Sequence, residues 1–74
     1  RMKINSEIKR ARRSMGLSQG ALARRLGVHT SLISHWELER RTPRRSNVQK
    51  LALEFPPLSV FLTMSEAQAL LEKR

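Results

Sequence analysis

A chain of 74 residues suffices for one small domain with a single core and excludes a second. It has no Cys, so neither a disulfide framework nor a thiolate metal site supplies stability; apolar burial must, and helices arrange that most cheaply at this length. The net charge of +9, from 15 Lys+Arg against 6 Asp+Glu, favours polyanionic partners.

Arg1-Met2 reads as an appended remnant, which also fits a piece of a longer protein. "NSEIKRARRSMG" (5–16) predicts a first helix, capped by Asn5 or Ser6 and stopped at Gly16. Ile4, Ile8, Ala11 and Met15 fall at i, i+4, i+7 and i+11 and form one apolar stripe. Within it, "KRARR" (9–13) resembles a nuclear-localisation run, but the spacing puts it mostly on solvated faces. "LSQGALARRLG" (17–27) predicts a short second helix with Ser18 as N-cap, Leu22 and Leu26 buried, and Gly27 as its stop. Residues 28–39 form the third helix, reached through a short turn.

"ERRTPRR" (39–45) is a basic loop in which Pro43 forbids helix continuation. "SNVQKLALEF" (46–55) restarts a helix with a capping box from Ser46 to Gln49 and turns Val48, Leu51, Ala52 and Phe55 inward. Pro56 and Pro57 end it, and "LSVFL" (58–62) adds a turn or short helix. "SEAQALLEKR" (65–74) repeats the box, Ser65 to Gln68, and predicts a terminal helix. The longest apolar stretch, "FPPLSVFLTM", is too short and too Pro-broken to span a bilayer. No apolar run follows the basic N-terminus, so no signal peptide is expected; the expected location is cytoplasmic.

The charge is uneven. Residues 1–50 hold 13 basic and 3 acidic side chains, a balance of +10, whereas residues 51–74 hold 2 basic and 3 acidic, a balance of −1. A charge serving only solubility has no need of such asymmetry.

"GVHTSLISHWE" (27–37) is unusual for a helix. Val28, Leu32, Ile33 and Trp36 recur at helical spacing, while the opposite face carries His29, Thr30, Ser31, Ser34 and His35. An ordinary solvated face favours Lys, Glu and Gln, which are better helix formers. Reading a major groove instead requires side chains short enough to let a helix approach, able to donate and accept hydrogen bonds. The face fits that use.

Residues 17–45 resemble the helix-turn-helix of the lambda-type phage repressor and Cro (Xre-like) family. Gln19 matches the Gln that opens its first helix, Ala23 the small residue where the two helices touch, and Gly27 the turn glycine. Leu22, Leu26, Val28, Ile33 and Trp36 match its inward apolar set, and "ISHWE" its "I-S-x-W-E" run. The likeness extends more loosely from Ile4 to about Leu62 and leaves 63–74 as a C-terminal extension. It implies an all-α, compact five-helix lambda-repressor-like domain over 1–74, with the extension as a possible further helix and the helix-turn-helix at about 18–38. It also implies operator DNA bound as a homodimer.

Carried over by position, Thr30, Ser31, Ser34 and His35 read bases. Gln19, His29, Arg12, Arg40, Arg41, Arg44 and Arg45 meet the sugar-phosphate backbone, and Arg12 and Glu37 form a salt bridge between the first and third helices. Leu53, Leu58 and Phe61 are the candidate dimer patch. Three departures stand out: no paired Gln on the recognition face, Gly20-Ala21 where a polar residue is common, and Pro56-Pro57 in place of a Gly-containing link.

Other chemistry fits poorly. Trp36 has the spacing of a core residue. His29 and His35, about 240° apart round a helix, cannot chelate one metal, and His35 with Glu39 is a single i, i+4 pair. Ser31 with His35 lacks an orienting acid. No enzyme, metal, cofactor, small-molecule substrate or membrane partner is expected. The expected function is sequence-specific DNA binding by a Cro-like repressor. The alternatives are a helix-turn-helix interaction module such as an antitoxin, a controller protein of a restriction-modification system, or a binder using charge alone.

Overall fold

The computed structural model describes residues 3–73; Arg1-Met2 and Arg74 lie outside them. Five α-helices and one 3-10 turn account for the regular structure: α1 (Ile4–Ser14), α2 (Gln19–Leu26), α3 (Thr30–Glu37), α4 (Arg45–Glu54), the 3-10 turn (Pro56–Phe61) and α5 (Met64–Lys73). No strand occurs among the described residues. The fold is all-α, and the chain divides into two compact units, one running to Thr42 and the other from Pro43.

In the first unit α3 packs on both α1 and α2. Ile8, Leu22, Ile33 and Trp36 are almost wholly buried, with Ala23 and Leu26 beside them in burial. The predicted stripe of α1 thins at its ends: Ile4 and Ala11 are half-buried and Met15 is exposed. Asn5 does not cap α1 as its residue type suggested, and neither does Ser6. The helix begins at Ile4, after Lys3 and without a side-chain cap. Asn5 is buried, and its Nδ2 donates to the Trp36 carbonyl at 2.7 Å and to the Arg41 carbonyl at 3.2 Å. A buried amide needs such partners, and these two tie α1 to the end of α3.

All three helices of this unit stop in the same way. The amide of Gly16 donates to the Arg13 carbonyl and that of Leu17 to Arg12; Gly27 and Val28 repeat the pair on Arg24 and Ala23; Glu39 and Arg40 repeat it on Trp36 and His35. This paired closure requires a left-handed residue, ordinarily glycine. Gly16 and Gly27 supply it at φ +67° and +69°, but after α3 the position is held by Glu39 at φ +60°.

In the second unit α4 packs against the 3-10 turn and α5. Val48, Leu51, Ala52 and Phe55 are buried as their spacing requires, together with Leu58 and Leu70. Neither capping box forms where the spacing predicts it. Instead of starting at Ser46, α4 starts after Arg44 without a side-chain cap, and Gln49 reaches Glu66 at 3.4 Å. The box of α5 joins Thr63 and Glu66 rather than Ser65 and Gln68. The Glu66 amide donates to Thr63 Oγ1 at 3.1 Å, and the Thr63 amide donates to Glu66 Oε1 at 2.8 Å. That exchange satisfies two amides at once. The backbone donor Thr63 contributes most to holding the Glu66 carboxyl below its usual range, against a smaller opposing effect of burial; the Thr63 hydroxyl, Arg45 and Gln49 add to it.

Candidate nucleic-acid interface

The geometry of α2 and α3 follows from local caps. Ser18 Oγ accepts the Ala21 amide at 3.0 Å, which starts α2 where its residue type predicts. Gly27 turns the chain and α3 begins two residues later than its apolar pattern suggested, at Thr30. Its cap is His29, whose Nδ1 accepts the Ser31 amide at 3.1 Å. Histidine is not among the residue types that mark an N-cap, so only the absence of a better candidate ahead of Thr30 could have signalled it.

Burial of Ile33 and Trp36 fixes the rotation of α3. Thr30 and Ser31 are therefore exposed, Ser34 and His35 are half-exposed, and His29 is exposed at the helix start. The structure thus brings the expected base-reading residues to one uncharged surface.

Behind that surface lies a polar network. Arg12 Nε donates to Glu37 Oε2 at 2.7 Å, Nη2 donates to Oε1 at 2.9 Å, and Nη1 donates to the Leu17 carbonyl at 2.8 Å. A fork on a carboxylate fixes orientation as well as distance. The two side chains are only 11% and 4% exposed, and one hydrogen remains on each terminal nitrogen of Arg12. Gln19 Nε2 also donates to Glu37 Oε1, at 3.1 Å, so α1, α2 and the end of α3 meet on one carboxylate. Burial pushes the Glu37 carboxyl up, but the hydrogen bonds of Arg12 and Gln19 and the charges of Arg12 and Lys9 outweigh it and hold it below the usual range. The Arg12 guanidinium is pushed up, chiefly by its hydrogen bond to Glu37.

Lys9 is exposed, as its place on a solvated face predicts, and lines an open cleft with Ser6, Arg10, Arg13 and Glu37. The basic run on α1 therefore borders the network; the density of positive residues was its sequence signal. Of the loop arginines, Arg40 and Arg41 are exposed in the first unit, and Arg44 is exposed just ahead of α4. Arg45 is exposed and pairs with Glu66 at 3.2 Å in the second unit.

The candidate dimer patch needs one correction. Leu58 is only 4% exposed, because the 3-10 turn lays it against α4; it cannot meet another chain. Leu53 is 42% exposed and Phe61 half-buried. Val60 and Leu71 are more exposed than either, and Leu53 and Leu71 line one groove with Ala52, Pro56, Ser59, Ala67 and Leu70.

Residues 8–60, well over half the chain, match the family model described as Helix-turn-helix. The chain belongs to the Cro/C1-type (Xre) helix-turn-helix family. No curated protein and no solved structure matches it significantly. As a member of this family the helix-turn-helix protein is a DNA-binding regulator. Among its described residues no helix is long and apolar enough to cross a membrane, and no group of three or more His, Cys, Asp or Glu is placed to hold a metal ion.

Proposed function

We propose that this helix-turn-helix protein is a small phage-type repressor of a bacterial cytoplasm. It reads operator DNA through α3 as a symmetric dimer and blocks polymerase by occupying two half-sites about 34 Å apart. The single observation that carries this reading is the α3 surface. Thr30, Ser31, Ser34 and His35 offer hydrogen-bonding groups without charge or length, on a helix whose other side is packed away.

Backbone contacts complete the reading. The amides of Gln19 and Gly20 precede the first intrahelical bond of α2, from Leu22 to the Ser18 carbonyl, and suit a phosphate. Gln19 and Arg12, both steadied by Glu37, present their remaining hydrogens to the same backbone, as His29, Arg40, Arg41, Arg44 and Arg45 do along the strand. The groove lined by Leu53 and Leu71 is the surface for the second copy.

Selecting bound duplexes from a random pool tests this. The proposal expects an enriched motif with two-fold symmetry and half-sites about one helical turn apart. Enrichment of nothing beyond bulk DNA would mean that charge alone does the binding.

A further inference from the structure

At the start of α3 two hydrogen bonds converge on one nitrogen. His29 Nδ1 accepts the Ser31 amide at 3.1 Å and lies 2.8 Å from Ser31 Oγ. A backbone amide only donates, so Nδ1 carries no proton and the neutral ring holds its hydrogen on Nε2. At 2.8 Å two lone-pair atoms need a hydrogen between them. Nδ1 cannot supply it, so the Ser31 hydroxyl does.

We infer that His29 sets the hydrogen-bond polarity of Ser31, making it an acceptor that reads an amino group on DNA. The hydroxyl hydrogen is committed to Nδ1, and only the oxygen lone pairs remain to face outward. In the major groove the amino groups are N6 of adenine and N4 of cytosine; guanine and thymine present only acceptors there, beside the thymine methyl. His29 is thereby a positioning residue for specificity, acting through Ser31. A serine alone reads either polarity; the ring at the cap removes that ambiguity. The inference rests on α3 being the base-reading helix.

The test is site selection from a random duplex pool by the wild-type chain and three variants. The position whose preference disappears in Ser31→Ala marks the base that Ser31 reads. There the wild type should prefer one base pair, in one orientation, by about tenfold. His29→Ala should reduce that preference to under about threefold, leaving the other positions of the motif unchanged. His29→Asn, whose side-chain oxygen still caps α3 and accepts from Ser31, should keep it; it guards against mistaking lost fold for lost selectivity. Survival of that preference in the Ala variant overturns the inference, as does its loss in the Asn variant, or wild-type affinity left unchanged when the adenine N6 or cytosine N4 amino group of that pair is replaced by hydrogen. Absence of any motif for the wild type removes the base-reading proposal and this inference together. A motif whose Ser31 position ignores His29 removes this inference alone.

Discussion

The two units of this chain are held by different means. The first buries polar groups: Asn5 spans from α1 to two backbone carbonyls, and Arg12, Gln19 and Glu37 close a charged network. The second buries an aliphatic and aromatic set, ties α5 down with a reciprocal cap, and leaves Leu53, Val60, Leu71 and Met64 exposed. Apolar contact is non-directional, whereas a forked ion pair and an amide with two acceptors specify one orientation. The forked ion pair lies behind the α3 surface proposed to read bases, while exposed apolar side chains occur in both units, Met15 and Leu38 in the first and Leu53, Val60, Met64 and Leu71 in the second.

Substitutions at four positions sharpen that contrast. Glu37→Ala should have the largest effect, about 3 kcal/mol of lost stability, because it leaves the part-buried Arg12 guanidinium without its counter-charge. Unaltered thermal melting would show that packing alone holds the first unit. The same carboxyl sets an acid dependence. Its folded pKa is depressed, so the stability it gives is complete above the unfolded value, about 4.3. That stability is lost as pH falls through the lower folded value. Denaturant melts across this range should show the loss in the wild type, and Glu37→Gln should flatten it.

Leu71→Lys should leave the first unit folded and weaken operator binding about 100-fold by breaking the dimer, as read by sedimentation and titration. A dimer that persists would move the interface elsewhere. Thr63→Ala removes a side-chain acceptor from the α5 cap and should cost about 1 kcal/mol; a change confined to the second unit is expected in hydrogen exchange. Glu39→Gly is the smallest and has the opposite sign. It relieves a left-handed non-glycine residue at the price of an exposed pair with Lys3 and should stabilise by about 0.5–1 kcal/mol in a melt.

What the sequence made legible was local. Ser18, Gly16 and Gly27 act on amides within a few positions of themselves, and Ile33 and Trp36 are placed by helical period alone. Asn5 was misread because its acceptors lie 31 and 36 residues away, beyond any pattern of caps. Thr63 and Glu66 do carry a capping-box spacing, but so do Ser65 and Gln68; Thr63 prevails because the helix starts just after it. Leu58 fits either core or patch by sequence, because exposure after Pro56-Pro57 depends on how the turn folds back; the structure makes it core. The polar face of α3 is plain from residue type and helical period, while the contact of His29 with Ser31 depends on a ring rotamer.

The most direct test compares affinities at one fixed salt concentration, for the selected duplex and for a scrambled duplex of equal length. A ratio of about 10³ or more is predicted, falling sharply in the Ser31→Ala, His35→Ala double variant. Near-equal affinities for the two duplexes would contradict the assignment of α3 to base recognition.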